Sequence, residues 1–388
     1  MQTGQRCCIY VEKGIEFMNG YPVQPQITEY LYQKAARAGI ALSGTFELTP
    51  LCNMSCKMCY VTLAKKEQES IACLRGAKEW LDLAKKAKEN GMVYLLLTGG
   101  EPFLHPEFRE IMEGLHSMGF ILSINSNGTL IDEETVEWLK KCPPSRINIS
   151  IYGKNDETYA ELCNNPKGFT QMSNAVSLLK KAGITVKLNC SVTPHNAKEL
   201  PEMIEFAKKN ECAIQVATYM FPPVRKNANM VGENYRLSPE EASYYEILAD
   251  YLTYGKEKLL SYENGIPQYK ENDDDCIGVR DSVRCRAGKC SFWVTWKGDM
   301  LPCGMFDDEE SLNVFEADFS SAWEKTKERI SKITLPSKCA KCNIKDKCRA
   351  CAAMVITESG NFEKEPQYRC DMMKSYPRQY QKVKGSVL

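Results

Sequence analysis

Histidine and an excess of charge of either sign are both missing from this sequence. Only three of its 388 residues are histidine, which disfavours an active site built on several imidazoles. Fifty Lys and Arg residues balance fifty Asp and Glu residues, and no basic stripe is interleaved with aromatic residues. The sequence therefore gives no support to a nucleic-acid partner.

Long apolar segments are also missing. The longest apolar run, Met92–Leu97, has the length of a strand and falls far short of the ~18 residues that span a membrane. The N-terminal residues lack the basic-then-apolar layout of a secretory signal. We therefore expect a cytoplasmic protein with no membrane partner.

Cysteine, in contrast, is abundant. The chain has 19 cysteines, and an odd number cannot be fully paired in disulfides, which are rare inside cells. So much thiol with so little imidazole favours a soft metal. Three cysteines crowd together at Cys52, Cys56 and Cys59, and eight more lie from Cys285 onward. Most of the others are expected to be small buried hydrophobes.

Short apolar segments alternate with amphipathic ones between residues 45 and 220. Six of them have strand character: Thr45–Leu48, Val93–Leu97, Ile121–Asn125, Arg146–Ile151, Thr185–Val192 and Ala213–Tyr219. Helical patterns separate them, such as Gly76–Asn90, which Gly91 is placed to end. This alternation indicates parallel βαβ units. Six strands favour a partial barrel or an open α/β sheet over a closed eight-stranded barrel.

Composition divides the chain into four parts. Residues 1–43 suggest a small hairpin and a helix, and residues 44–235 form the α/β region. Residues 236–272 contain a connecting helix, which opens at Ser238-Pro239 with a capping box and runs to about Leu260. Residues 273–388 are rich in cysteine and poor in long periodic segments. We expect this last part to be a small domain held together more by metal than by an apolar core.

The three clustered cysteines have the spacing C-x3-C-x2-C and directly follow the strand Thr45–Leu48. In a parallel α/β fold this is the carboxyl end of a strand, where active sites lie. Three thiolates would hold three irons of a [4Fe–4S] cluster and leave the fourth iron open. A zinc site completed from elsewhere, or plain buried cysteines, are the alternatives.

A second motif, Leu97-Thr98-Gly99-Gly100-Glu101-Pro102, follows the second strand. Together with the C-x3-C-x2-C motif it resembles the radical S-adenosylmethionine (radical SAM) enzymes, over about residues 45–220. The resemblance implies an α/β fold, a partial (β/α)6 radical SAM barrel followed by the small cysteine-rich domain. It also implies that the amino and carboxylate groups of the methionine part of SAM chelate the open iron.

The resemblance extends to individual positions. The motif that meets the methionine amino group of SAM corresponds here to Gly99, Gly100, Glu101 and Pro102. Asn127 and Ser150 occupy positions that often contact SAM in this family. The residue before the third cysteine, usually aromatic in the family, is Met58 here, so Tyr60 is a candidate for the adenine contact. An ordinary turn is the alternative for Asn127-Gly128.

The resemblance implies one-electron reduction of SAM at the cluster, which releases methionine and a 5′-deoxyadenosyl radical. That radical abstracts hydrogen from an unactivated C–H bond of the substrate. The cofactor supplies this chemistry, and the protein supplies positioning and exclusion of water. An electron donor such as flavodoxin or ferredoxin is the expected partner.

The C-terminal cysteines, with Gly298 five residues before Cys303, resemble the SPASM domain. This extension of some radical SAM enzymes binds auxiliary iron–sulfur clusters. The resemblance implies one auxiliary [4Fe–4S] cluster held by Cys285, Cys290, Cys303 and Cys351. It implies a second auxiliary [4Fe–4S] cluster held by Cys339, Cys342, Cys348 and Cys370. Spacing alone equally allows one or two structural zinc sites.

Radical SAM enzymes with this extension commonly modify peptides. The resemblance therefore favours a ribosomally made peptide as substrate, which is crosslinked, converted to a thioether, dehydrogenated or epimerised. In the sulfatase-maturing members an aspartate follows the cysteine equivalent to Cys303, whereas Gly304 follows it here, which disfavours formylglycine formation. Two alternatives stay open: a small-molecule radical SAM dehydrogenase or epimerase, and a non-catalytic iron–sulfur or zinc-binding protein.

Two cysteines outside the arrays are candidates for a catalytic hydrogen donor. Cys190 lies on the fifth predicted strand, and it would reach a substrate radical if it faced the barrel interior. Strand alternation equally allows it to face the helices as a packed cysteine. Cys276, near the junction of the two domains, is the second candidate.

Overall fold

The computed structural model describes residues 10–12, 15–18, 21–23, 26–223, 235–263, 283–307, 309–345 and 347–388. All eleven cysteines of the two arrays lie within these ranges. Cys276, the second candidate hydrogen donor, lies outside the described residues.

The strands form two sheets. Three short N-terminal strands make an antiparallel sheet: Tyr10–Glu12 (β1), Ile15–Met18 (β2) and Tyr21–Val23 (β3). The remaining strands are Ser43–Glu47 (β4), Tyr94–Thr98 (β5), Ile121–Ser126 (β6), Arg146–Ile151 (β7), Val186–Ser191 (β8), Ala213–Ala217 (β9), Ser291–Val294 (β10) and Met300–Leu301 (β11). They form one eight-stranded sheet in the order β11-β10-β4-β5-β6-β7-β8-β9.

The six parallel strands β4–β9 confirm the predicted α/β fold. Consecutive strands of this set pair side by side, as expected of successive βαβ units. Two further strands come from the cysteine-rich region and were not predicted. Strand β10 pairs in parallel with β4, and β11 pairs antiparallel with β10. This region therefore contributes to the same sheet as the barrel strands.

Helices cover the outer face of the sheet and link the strands. The α-helices of the described residues are Gln26–Ala38 (α1), Lys65–Ile71 (α2), Ala77–Glu89 (α3), Phe108–Ser117 (α4), Glu133–Leu139 (α5), Asp156–Cys163 (α6), Gly168–Lys181 (α7), Leu200–Lys209 (α8), Pro239–Tyr254 (α9), Lys256–Leu260 (α10), Phe319–Ser331 (α11), Ser337–Ala340 (α12), Ala352–Ser359 (α13) and Gln367–Val387 (α14). Short 3₁₀ helices lie at Pro102–Leu104 and Ala197–Glu199. Of the helices described here, none is both long and apolar enough to cross a membrane.

Helix α9 begins where the sequence predicts. The Ser238 hydroxyl accepts a hydrogen bond from the Glu241 N–H, and the Glu241 carboxylate accepts one from the Ser238 N–H at 2.9 Å. The predicted extension to Leu260 is wrong in one respect. Gly255 has a φ of +81° and separates α9 from α10, because a left-handed residue ends the α-helical path.

The two faces of the parallel sheet differ in chemistry. The face that meets the helices is apolar, with Phe46, Leu97 and Ile149 fully buried. The inner face carries polar side chains, and the Asn148 amide donates to Asn125 Oδ1 at 2.7 Å across β6 and β7. A parallel sheet buried on both faces is usually apolar throughout. The polar inner face therefore indicates a lumen that holds polar groups.

Aromatic packing joins the C-terminal region to the sheet. Phe292 on β10 lies against Phe46 of β4, and against Phe319 and Trp323 of α11, with ring centroids 5.4–6.5 Å apart. The Trp323 indole also donates to the Gly39 carbonyl at 2.7 Å. This cluster holds α11 and β10 against the first barrel strand.

Replacing Phe292 by alanine is expected to lower the free energy of unfolding by about 3–5 kcal/mol, because the ring is 2% exposed. Denaturant unfolding followed by circular dichroism measures the change. Tyr30→Ala is the matched aromatic control, since Tyr30 is 59% exposed and its removal should cost no more than about 0.5 kcal/mol. Equal destabilisation in the two variants would contradict this packing.

Candidate functional site

The three motif cysteines lie in one loop at the carboxyl end of β4. We call residues 49–59 the cysteine loop. Its backbone is tied to the end of α6, because the Ser55 N–H donates to the Cys163 carbonyl and the Lys57 N–H to the Leu162 carbonyl, both at 3.0 Å. Cys52, Cys56 and Cys59 are all partly exposed. The loop therefore presents its thiols from a fixed backbone.

Backbone N–H groups and a hydroxyl point at two of the thiols. The Met54 N–H lies 3.4 Å from Cys52 Sγ, and the Thr62 N–H lies 3.4 Å from Cys59 Sγ. The Thr62 hydroxyl is 3.0 Å from the same sulfur. Hydrogen bonds to sulfur stabilise negative charge and tune the potential of a cluster bound there.

The chemistry of this thiol set fits an iron–sulfur cluster. Burial, together with the nearby Glu101, Cys56 and Cys59, raises the pKa of the Cys52 thiol to about 12. The Met54 N–H opposes this rise. Thiols in such a site ionise only when a cation is close, since burial and neighbouring negative charge both oppose the thiolate. The irons of a [4Fe–4S] cluster supply that positive charge.

The glycines of the Gly99–Pro102 motif allow β5 to approach the cysteine loop. A Cβ atom on Gly99 would lie 2.5 Å from the Thr49 carbonyl oxygen, and one on Gly100 would lie 2.4 Å from that of Leu51. The Gly100 N–H donates to the Thr49 carbonyl, and the Glu101 N–H donates to the Leu51 carbonyl at 2.8 Å. Because these two residues have no side chains, the backbones of the loops after β4 and β5 can come into contact.

The Glu101 side chain joins the β5 and β6 loops. Its carboxylate is fully buried and accepts hydrogen bonds from the Ser126 hydroxyl at 2.9 Å and the Asn127 N–H at 2.8 Å. Burial raises the pKa of this carboxyl to about 7, against the opposing effect of these hydrogen bonds. Glu101 therefore positions Asn127 beside the cysteine loop. Pro102 follows as the first residue of a 3₁₀ turn.

Asn127 is part of a side-chain network around Cys52. Its amide donates to Asn53 Oδ1 at 2.9 Å and lies 3.7 Å from Cys52 Sγ. The side-chain oxygen of Asn127, Oδ1, accepts hydrogen bonds from the Thr129 N–H and from the Thr129 hydroxyl. Gly128 has a φ of +78°, so the turn expected at Asn127-Gly128 is present as well. Contact of Asn127 with SAM stays a prediction.

Ser150 and Tyr60 are the other two residues expected to contact SAM. Ser150 is on β7, and its side chain hydrogen-bonds the phenol of Tyr152. Burial raises the pKa of that phenol, and Cys56, Cys163 and Cys59 are close enough to raise it further. Tyr60 is half-buried directly after the third motif cysteine. Their contacts with SAM also stay predictions.

Four residues of this site escaped the sequence analysis: Asn53, Thr129, Tyr152 and Cys163. Asn53 lies inside the cysteine motif and could have been found there. Cys163 is fully buried, and its thiol hydrogen-bonds Cys56. Nothing in the sequence marks the other three, because they are joined to the cysteine loop only by the fold.

Cys190 does not face the barrel interior. Its sulfur lies 3.8 Å from Met203 Sδ on α8, and the residue is 1% exposed. Strand alternation places Lys187 and Asn189 on the inner face and Cys190 on the helix face. The prediction of Cys190 as hydrogen donor is therefore wrong, and its packed alternative is correct.

Four C-terminal cysteines surround one small cavity of about 180 Å³: Cys339, Cys342, Cys348 and Cys370. Burial raises the pKa of Cys370 to about 11, with Cys348 and Cys339 close by. Apolar residues such as Leu335, Ile344 and Met373 also line this cavity. The structure thus brings together the four residues expected to hold the second auxiliary cluster.

The other four cysteines divide into a group of three and a neighbour. Cys285, Cys303 and Cys351 pack against the same apolar cluster, which includes Phe306. Cys290 is fully buried in another cluster, against Tyr32, Ala35 and Leu42. Burial raises the pKa of the Cys290 thiol to about 11, and Cys285 is close enough to contribute to this rise. Cys285 thus links Cys290 to the group that packs against Phe306.

Within the described ranges, no three His, Cys, Asp or Glu side chains converge closely enough to hold a single metal ion. A [4Fe–4S] cluster does not require such convergence, because each cysteine binds a different iron.

The substitution Gly100→Ala is expected to disrupt the first cluster site, because the new Cβ would lie 2.4 Å from the Leu51 carbonyl. Iron analysis of anaerobically prepared protein should then find about four fewer irons per chain than in the wild type. Gly385→Ala is the control, since a Cβ there meets no atom within 4 Å. Full iron content in Gly100→Ala would contradict the expected role of this contact.

Known proteins are similar to this chain in sequence. Residues 46–207 match the model of the radical SAM superfamily. The chain is 26% identical over 341 residues to the AdoMet-dependent heme synthase of Methanosarcina barkeri, covering 83% of this chain and 94% of that protein. It is 24% identical over 370 residues to the antilisterial bacteriocin subtilosin biosynthesis protein AlbA of Bacillus subtilis, covering 86% of this chain and 76% of AlbA.

A solved structure gives the same fold. Streptococcus suis SuiB bound to the precursor peptide SuiA superimposes with a TM-score of 0.63 at 19% identity, covering 90% of this chain and 81% of SuiB. The superfamily match spans both sequence motifs, the end of β4 and the whole of β5 to β8. Residues 46–207 are therefore a domain of the radical SAM superfamily.

Proposed function

We propose that this chain is a radical SAM enzyme that modifies a ribosomally made peptide. The observation that carries the proposal is the contact between the cysteine loop and Gly99–Glu101 at the carboxyl edge of the sheet. A bound [4Fe–4S] cluster and SAM would supply one-electron chemistry that removes hydrogen from an unactivated C–H bond. The chain itself would hold, orient and shield the reacting groups.

Each part of the site has an assigned task in this proposal. Cys52, Cys56 and Cys59 would bind three irons and leave the fourth for SAM. The Glu101 carboxylate is already occupied by donors from the β6 loop, so the motif would meet the methionine amino group through its backbone. Asn127, Ser150 and Tyr60 would contact the rest of SAM.

The C-terminal cysteines would hold two auxiliary [4Fe–4S] clusters. The cavity framed by Cys339, Cys342, Cys348 and Cys370 supports the second of them. Four protein ligands on each cluster leave no open iron, so their task would be electron transfer. A flavodoxin or ferredoxin in the cytoplasm would supply the reducing electron.

The similarity to two proteins of peptide metabolism supports a peptide substrate. AlbA is a bacteriocin biosynthesis protein, and SuiB was solved with a precursor peptide. A small-molecule substrate is the second candidate. The AdoMet-dependent heme synthase of M. barkeri supports this candidate, because its name gives a small molecule as the product. The match covers 94% of that protein.

Anaerobically prepared protein is expected to contain about twelve irons per chain, four for each of three clusters. Cys342→Ser removes a ligand of the second auxiliary set and should lower the content to about eight irons. Cys73→Ser is the control, because Cys73 is exposed and lies outside both arrays. Iron, zinc and acid-labile sulfide analyses measure this. About four irons together with zinc would instead favour structural zinc sites.

Anaerobic incubation with SAM, a reductant and any short precursor peptide encoded beside this gene is expected to modify that peptide. Mass analysis distinguishes the reactions: loss of two hydrogens indicates oxidation, and a deuterium gained in heavy water indicates epimerisation. Omission of the reductant is the control. Accumulation of 5′-deoxyadenosine with an unchanged peptide would contradict a peptide substrate and favour a small molecule.

A further inference from the structure

Among the residues that the structure describes, the last barrel strand, β9, pairs on one side only, with β8. The Ala217 carbonyl accepts a hydrogen bond from the Val192 N–H at 2.9 Å, which directs the backbone groups of Ala217 toward β8. Because directions alternate along a parallel strand, Gln215 also faces β8, whereas Ile214 and Val216 face outward. In the part of the chain that the structure describes, the outward N–H and C=O groups of these two residues have no hydrogen-bond partner.

A groove runs along this free edge. It encloses a cavity of about 220 Å³ between the strand and one face of helix α9. Residues 214–219 form one wall. The opposite wall is made by residues with the spacing of a single helix face, Glu246, Ala249, Asp250, Thr253 and Tyr254. Phe221 and Met354 also line the groove.

Charges in the groove are already compensated within the chain. Asp250 pairs with Lys258 at 3.3 Å and accepts a hydrogen bond from the Tyr262 phenol at 2.6 Å. The Glu246 carboxyl hydrogen-bonds Tyr376, and Arg369 lies close to it. The groove therefore does not call for a strongly charged ligand. The groups in the groove that a ligand could pair with are the outward main-chain N–H and C=O groups of Ile214 and Val216.

An extended peptide meets that requirement. A strand added beside β9 would pair with the outward groups of Ile214 and Val216, as in other cases of strand addition to a sheet edge. Its alternate side chains would fall on the same face as Gln215 and Lys187, which line the lumen. Its other side chains would fall on the face where Ile214 and Val216 pack.

The groove ends beside the C-terminal cysteine region. The Tyr219 side chain, which lines the groove, donates to Glu358 of helix α13, and this helix begins directly after Cys351. Strands β4 and β9 run in the same direction, so their carboxyl ends are on the same side of the sheet. A peptide in the groove would thus lie near Cys351, at the same end of the strands as the cysteine loop.

We propose that the peptide substrate binds as a ninth strand of the sheet, in the groove between β9 and α9, and so carries alternate side chains into the lumen. This inference rests on the proposed peptide-modifying function. It adds a binding site and a recognition mode, through main-chain hydrogen bonds along residues 214–216.

Val216→Pro tests the proposal, because it removes an outward N–H without breaking the hydrogen bonds to β8. We expect the Kd of the precursor peptide to rise about tenfold, measured by fluorescence anisotropy of a labelled peptide. Val216→Ala is the matched control: it shortens the side chain, keeps the N–H and should bind within about twofold of the wild type. Circular dichroism of each variant verifies that it is folded.

A second measurement uses the wild-type protein and needs no variant to fold. Single N-methyl groups are placed at successive positions of the peptide, and binding of each peptide is measured. Strand addition predicts losses at every second position across the docked segment. Uniform or aperiodic losses would overturn the proposal, as would equal affinity of the Val216→Pro and Val216→Ala variants.

The two hypotheses fail in different ways. A peptide that is modified normally but shows no alternate N-methyl sensitivity would overturn strand addition and leave the proposed function standing. A peptide that is neither bound nor modified would overturn both. Protection of the Ile214 and Val216 amides from hydrogen exchange on peptide binding would support the proposal at the level of single N–H groups.

Discussion

The arrangement of the site depends on the close approach of the loops that follow β4 and β5. Two adjacent residues without side chains, Gly99 and Gly100, let the backbone of one loop touch that of the other. The hydrogen bonds from Gly100 and Glu101 to Thr49 and Leu51 then fix the cysteine loop relative to the sheet. In the proposed function, a loop fixed in this way would keep the three thiols in place for a cluster.

Buried polar groups extend this rigidity across three strands. The Glu101 carboxylate reaches from the β5 loop to the β6 loop, and Asn127 reaches from there back to the cysteine loop. A carboxyl held in this way costs free energy through desolvation, which is why its pKa rises to about 7. The hydrogen bonds that it accepts offset part of that cost. The same network places an amide 3.7 Å from Cys52 Sγ.

The open side of the barrel follows from the strand count. Six parallel strands do not close on themselves, and the C-terminal strands β10 and β11 extend the sheet at the β4 side only. Within the described part of the chain, β9 is therefore the edge strand, and helix α9 packs near it without taking its hydrogen bonds. An edge of this kind is usually a hazard for a folded protein, because it invites pairing with other chains. In an enzyme that acts on peptides, the same property provides a means of recognition.

The sequence by itself determined the local features of this protein. Periodicity located the six parallel strands, capping residues located the start of α9, and the spacing of Cys52, Cys56 and Cys59 predicted a metal site in the loop after β4. Only the tertiary structure decided which way Cys190 faces, since a strand allows both faces and Met203 lies far away in sequence. It also added β10 and β11 to the sheet and brought Cys163 and Tyr152 beside the cysteine loop. These contacts join residues that are distant along the chain, so no local pattern encodes them.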